Sequence, residues 1–221
     1  MSDIEQLDKR LQALETRVRE LESTAAIERL QNIYGYYLDN RMWNEVVGLF
    51  TEDAEVEVGR RGIYRGRAQL HIFFHEVLGF GRSGRRRDEL HNHVQIQGVV
   101  TLAPEGDRAF GRFRALAQFA MTLPDGTPGH GWADGSYENE YVFRDGAWRI
   151  HVLRWTPSFY GKLPAEAVDA GRPSAPPSKK HPPSAPATYA QHEPGAWILP
   201  FHYPHPLTGE LTPIDTEDSS R

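Results

Sequence analysis

Between Leu90 and Trp155 one texture repeats four times, and nothing else in the sequence narrows the fold as much. LHNHVQIQGVVTL, RAFGRFRALAQFAMTL, HGWADGSYENEYVF and AWRIHVLRWTP are long runs rich in β-branched and aromatic residues. Between them stand APEGD, PDGTPG and RDG, with Gly after an acidic residue at Glu105-Gly106, Asp125-Gly126 and Asp145-Gly146. That pairing is a hairpin signal. The runs predict four long antiparallel strands in one sheet.

Upstream the period changes from two to about 3.6. Thr24 onward carries Ile27, Leu30, Tyr34, Tyr37 and Leu38 as a broad apolar stripe, a helix ending in AAIERLQNIYGYYLDN. Trp43–Phe50 (WNEVVGLF) predicts a second helix, TEDAEVEVG a turn and strand, RGIYRG a short strand and turn, and RAQLHIFFHEVLG a third helix. Helices followed by a run of strands give an α+β fold, one curved antiparallel sheet with helices packed on its concave face.

Residues 4–21 differ again. Ile4, Leu7, Leu11, Leu14, Val18 and Leu21 follow a 3, 4, 3, 4, 3 spacing, and Glu, Lys, Arg and Gln fill the gaps. This a/d stripe is too narrow to bury a globular core helix, which points to a self-association arm rather than to packing on its own domain. Less than three heptads is short for an independent coiled coil, so the arm is expected to assist an interface made elsewhere.

Proline marks the other end. Of 16 prolines none precedes Pro104, and twelve follow residue 163. The expected organisation is a helical arm at 1–24, a catalytic domain at 25–160 and a Pro-rich extension at 161–221. Residues 164–187 read as an extended linker. TYAQHEPGAWILPFHYPHPL holds Tyr189, Trp197, Ile198, Leu199, Phe201 and Tyr203, too aromatic for a disordered tail, and is expected to dock on the domain or on a neighbouring subunit. The final DTEDSSR should fray.

Composition then removes whole classes of function. With no cysteine there is no disulfide framework, thiolate metal site or thiol nucleophile. A net charge of −5 argues against a nucleic-acid partner. No apolar run reaches the length of a membrane span, and MSDIEQLDKR lacks the apolar core of a signal peptide, so a cytoplasmic protein is expected. GxSxG, Walker A and HExxH motifs are absent. Gly79-Phe80-Gly81-Arg82-Ser83-Gly84 has the letters of a dinucleotide loop, but it follows a helix and leads into RRRDEL, so a mobile loop is its better meaning.

Three constellations bear titratable chemistry. His71 and His75 with His91 and His93 could hold a metal, but no Asp or Glu stands at matching ligand spacing, and none is expected. Arg60, Arg61, Arg65, Arg67, Arg82, Arg85, Arg86 and Arg87 form a dense basic cluster. It reads as a salt-bridged loop, from which one arginine could reach a pocket mouth and meet an anion. Asp39 ends an aromatic-rich helix, and on HNHVQIQ the residues His91, His93, Gln95 and Gln97 share one face, polar enough to line a pocket. An Asp that orients a His makes a neutral imidazole able to take a proton at pH 7. From spacing alone that pair stands beside a second reading, a satisfied and partly buried His93.

The segments AAIERLQNIYGYYLDNRMWNEVVGLFTEDAEVEV, HNHVQIQGVV and DGAWRIHVLRW, in that order over residues 25–156, resemble the SnoaL-like branch of the nuclear transport factor 2-like superfamily. That branch includes polyketide cyclases, scytalone dehydratase and bile-acid dehydratases, and LPFHYPHPLTG is similar to the C-terminal extension of some long members. The resemblance implies a cone with an internal pocket and cofactor-independent acid/base catalysis. Asp39 and His93 match the family's dyad and Tyr34 a pocket tyrosine of the dehydratases. His91, Tyr37, Trp43, Phe113, Trp132 and Arg154 are the expected substrate contacts. The sequence departs from scytalone dehydratase at Leu38, where that enzyme has Tyr, and at Phe113 and Phe119, on a strand that bears His there.

The implied activity is a lyase that needs no cofactor and acts on a hydrophobic aromatic alcohol. It would remove water, or cleave a C–C bond to release formaldehyde from a lignin-derived diarylpropane. An isomerase or cyclase with the same dyad and a non-catalytic ligand-binding protein are the alternatives. The resemblance and the heptad arm together imply a homo-oligomer, a trimer before a dimer.

Overall fold

The computed structural model describes residues 3–86, 89–164, 176–186 and 198–213. A single helix, α1 (Asp3–Asp39), carries both stripes, the heptad half exposed and the half from Ile27 buried. It stops where Arg41 turns left-handed (φ 53°). Met42 N–H then bonds the Tyr37 carbonyl at 3.0 Å and Arg41 N–H the Leu38 carbonyl at 3.0 Å, the crossed pair that closes a helix end. A non-glycine residue in that conformation costs about 1–2 kcal/mol. Arg41 is held there by burial and by an ion pair with Glu89, which also accepts from Arg82 at 3.0 Å.

Next come α2 (Trp43–Gly48), β1 (Phe50–Val58), β2 (Ile63–Arg65) and α3 (Arg67–His71), which continues as a π-helical segment at Ile72–Leu78. The 3.6 period of RAQLHIFFHEVLG predicts one α-helix, whereas the structure widens it so that Phe73 and Phe74 are both buried. The four hairpin strands are β3 (Leu90–Leu102), β4 (Arg108–Ala120), β5 (Gly131–Arg144) and β6 (Ala147–Lys162). Sheet order is β2-β1-β6-β5-β4-β3. The hairpin strands pair antiparallel as expected, but β1 joins β6 in parallel, so the sheet is mixed. Residues 51–58 of TEDAEVEVG are strand, and the turn comes after them at Gly59 (φ 58°) rather than before.

One residue bends β3. Gln97 and Gly98 together oppose Phe113 of β4, a bulge in which Gln97 adopts φ 54°. It shifts the face alternation by one: His91, His93 and Gln95 point inward before the bulge, and Val100 and Leu102 pack on the core after it. Gln97, expected beside His93 and Gln95, is therefore exposed. A Cβ on Gly98 would stand 2.6 Å from the Phe113 ring, so only glycine lets that ring close the bend. The sheet wraps α1, whose buried half lies across β3 and reaches β6.

Two stretches of the extension beyond β6 are described. Residues 176–186 are exposed. Residues 198–213 return to their own domain: Phe201 meets Tyr37 edge to face at 5.5 Å, His205 stacks on Tyr37 at 5.8 Å, and Thr212 Oγ1 bonds the Tyr37 hydroxyl at 2.8 Å. Tyr189, Trp197, Arg87 and the terminal DTEDSSR lie outside the described residues.

Candidate active site

The last turn of α1 aims Asp39 at β3. Asp39 Oδ1 accepts the His93 backbone N–H at 2.7 Å and is 3.1 Å from His93 Nδ1. A carboxylate can only accept, so Nδ1 carries the proton and the lone pair of His93 lies on Nε2. His91 is fixed in the same tautomer by a different acceptor. Its Nδ1 lies 3.1 Å from the Leu38 carbonyl, which at the helix end also accepts the Arg41 N–H. Burial first, then His93 and Arg41 nearby, hold His91 well below the usual histidine pKa, so it is neutral at pH 7. The two imidazoles meet at 4.6 Å.

Both histidines face a cavity of about 300 Å³ between α1, the π-helical segment and the sheet. Tyr34 and Tyr137 line it with them, their rings edge to face at 6.0 Å. Burial raises both phenols, Tyr137 to about 12 and Tyr34 well above its usual value. Both are therefore protonated donors at neutral pH. Beneath them Gln31 Oε1 accepts from Tyr141 Oη at 2.7 Å and Asn139 Nδ2 at 3.0 Å, while Gln31 Nε2 donates to Gln95 at 2.9 Å. This buried network spaces α1 from the sheet without leaving its polar atoms dry. Phe119, Met121, Trp155 and Leu78 supply apolar wall, and Arg61, one of the basic cluster, is the cation of the lining.

Of the nine residues singled out from the sequence, Tyr34, His91 and His93 line the cavity, and Asp39 stands behind His93. The other five are placed elsewhere. Tyr37 faces the docked extension. Trp43 stacks on Phe74 and donates to the Arg82 carbonyl at 2.7 Å, with its ring backing His91. Phe113 fills the β3 bulge. Arg154 and Trp132 miss by one strand position, because successive residues of a strand face opposite ways. Arg154 pairs with Glu57 at 2.8 Å while Trp155 lines the cavity. Trp132 meets Phe159 at 4.8 Å while Ala133 lines it. The lining also includes Tyr137 and Trp155, which the sequence did not single out, and Phe119, which it marked only as a departure from scytalone dehydratase. The Trp155 indole N–H is buried without a hydrogen-bond partner among the described residues, a free donor in the wall.

His71 and His75 pack on each other at 5.7 Å, apart from this group. Asp39, His91 and His93 instead bring one ligand atom each within 4.8 Å, so the carboxylate missing from the sequence spacing is supplied by the fold. In the observed arrangement these groups are wired to one another as donor and acceptor. The basic cluster is salt-bridged where it is paired: Arg65 with Glu55, Arg67 with Glu52, and Arg82 and Arg86 with Glu89.

Fold and site define a class: an α+β cone whose helix-closed pocket holds an Asp-oriented imidazole and protonated phenols. The chain belongs to the SnoaL-like domain family, whose profile matches residues 19–154. Among solved structures it is similar to a candidate scytalone dehydratase from Novosphingobium aromaticivorans DSM 12444, with 22% identity over 66% of this chain and 91% of that one, at a TM-score of 0.57. A hexachlorocyclohexane dehydrochlorinase, LinA type 3, from Novosphingobium barchaimii LL02 has 22% identity over 73% of this chain and 99% of that one, TM-score 0.56. An NTF2-like protein with a cystatin-like fold from Novosphingobium aromaticivorans has 22% identity over 67% and 90%, TM-score 0.50. Likeness at this identity speaks for the fold. No curated protein matches the sequence. Among the described residues no helix is long and apolar enough to cross a membrane.

Proposed function

We propose that the protein is a lyase that eliminates water from a hydrophobic aromatic alcohol, with His93 as general base. One observation carries the reading: the carboxylate of Asp39 fixes the His93 Nδ1 proton, and His93 lines a largely apolar cavity that also presents two protonated phenols. His93 Nε2 takes a proton from the carbon next to the carbinol carbon. The C–H electron pair becomes the new double bond as the C–O bond breaks. Tyr34 donates its proton to the departing hydroxide, giving water, and is reprotonated from the His93 imidazolium, so the site is restored. Tyr137 and the Trp155 N–H hold the oxygen, and Phe119, Met121 and Leu78 hold the ring. Two of the similar structures carry names of enzymes that remove water or hydrogen chloride, both β-eliminations, in keeping with this chemistry.

The test is mass spectrometry of aryl alcohols, including diarylpropanes, incubated with protein alone. Loss of the mass of water is expected, and His93→Ala should lower that turnover by about 10²–10⁴-fold, the usual contribution of a general base. Loss of formaldehyde would replace dehydration by C–C cleavage on the same dyad. No mass change across the panel, with isomerised product, would assign an isomerase. Activity abolished by a chelator and restored by a divalent metal would make Asp39, His91 and His93 ligands instead.

A further inference from the structure

The cavity uses the second half of α1 and leaves the first half without a role. There Ile4, Leu7, Leu11, Leu14, Val18 and Leu21 are 51–71% exposed, an apolar stripe that the described remainder of the chain does not cover. The residues flanking that stripe say what would cover it. With Ile4, Leu11 and Val18 at a and Leu7, Leu14 and Leu21 at d, the e positions are Asp8, Glu15 and Glu22, and the g positions after the first are Arg10 and Arg17. In a parallel, in-register pair each g residue meets the e residue of the next heptad across the seam. Arg10 then faces Glu15 of the partner subunit and Arg17 faces Glu22 of the partner subunit, and two-fold symmetry makes each contact twice. Asp3 opposite Asp8 at the outer end is the like-charged pair. An antiparallel pair would set arginine against arginine and acid against acid.

We propose that residues 3–22 form a parallel, in-register, two-stranded coiled coil with a second copy of this chain. β-branched Ile4 and Val18 at two of the three a positions, beside Leu11, with leucine at each d, favour two strands, where the resemblance and the heptad arm together implied a trimer before a dimer. So short a coil is marginal alone, so the pairing depends on protein concentration. It places the two cones at the same end of the coil, since α1 runs on from each arm into its own domain.

The chain has no cysteine, so Leu7→Cys introduces a unique thiol at a d position. In a parallel pair the two thiols face each other, and mild oxidation of the full chain should give a disulfide-linked dimer as the main species. Antiparallel packing would hold them about 16 Å apart, too far to bond. Adding Arg10→Glu and Arg17→Glu should slow cross-linking at least tenfold, and adding Glu15→Arg and Glu22→Arg to that variant should restore it. Sedimentation of the unmodified chain should reach the mass of two copies. Absence of the linked dimer, cross-linking indifferent to the charge reversal, or a three-copy mass would overturn the proposal. Circular dichroism of each variant checks that the cone is folded, and the substitutions lie on exposed positions of the arm.

Discussion

Replacing Asp39 by Asn separates the electrostatic part of the dyad from its geometry. The amide oxygen can still accept both the His93 backbone N–H, now at 2.7 Å, and the Nδ1–H, at 3.1 Å, so the tautomer and the contact between α1 and β3 survive. What disappears is the negative charge beside an imidazole that becomes positive when it takes the substrate proton. Unit charges about 4 Å apart near a protein surface interact by about 4 kcal/mol. Here both side chains keep about a fifth of their surface in solvent, 20% for His93 and 21% for Asp39, and screening reduces the usable interaction to about 2 kcal/mol. At 1.36 kcal/mol per decade, turnover should fall about 30-fold. KM should change little, because Asp39 is not part of the cavity lining. Steady-state kinetics on the best substrate of the aryl alcohol panel gives both constants, and chemical denaturation gives stability. Turnover within threefold of the parent in a folded variant refutes the dyad. So does a loss that appears wholly in KM.

Gln31→Leu removes the common acceptor of Asn139 and Tyr141 and the donor to Gln95; the buried Tyr141 hydroxyl loses its acceptor, and Asn139 Nδ2 keeps only its 3.1 Å bond to Tyr141 Oη. The expected cost is about 2–4 kcal/mol in denaturant unfolding, and a loss under 1 would dissolve the network argument. Gly98→Ala forces its methyl against the Phe113 ring at 2.6 Å and should cost about 1–3 kcal/mol on the same measurement. Acid should loosen the fold through two histidines. Burial, the largest cause in each case, lowers the pKa of His91 and of His205, whose Nδ1 accepts backbone N–H bonds from Leu207 and Thr208 at 3.2 and 3.3 Å. The unfolded chain binds these protons near pH 6.5 and the folded one only at lower pH, so stability is full above about 6.5 and falls below it. Thermal melts from pH 7.5 to 5 should show that fall, and His205→Phe should flatten part of it.

The fold was largely legible because each of its signals is local. Hairpin turns, strand alternation and the two stripes of α1 are set by residues close together in sequence, and the structure keeps them. The site divides on the same principle. Asp39 and His93 could be paired because a helix end and a strand start are both readable, and family resemblance joined them. Arg154 and Trp132 were misplaced because strand parity depends on bulges, and β5 and β6 shift register between Asp134 and Gly135 and again between Glu140 and Tyr141. A one-residue slip exchanges the two faces of a strand. Phe113 was misplaced for a related reason, since the bulge it fills is made by the neighbouring strand. The parallel β1–β6 pair joins segments about a hundred residues apart, beyond any local periodicity.

The late prolines acquire a structural meaning from where their segment lands. Tyr34 and Leu38 of α1 face the cavity, and Asp39 reaches His93. Tyr37, in the same turn, is clamped from outside by Phe201, His205 and Thr212. The described part of the extension is therefore absent from the cavity lining and fixes, from behind, the helical turn on which the dyad stands. A side chain two residues from Asp39 cannot swing without taking the carboxylate with it, and the 2.7 Å bond to the His93 backbone tolerates little displacement. Loosening the clamp, by His205→Ala or Thr212→Val, should thus lower kcat while leaving KM nearly unchanged, since neither residue belongs to the cavity wall. A rise in KM alone would show that the extension acts on substrate entry instead.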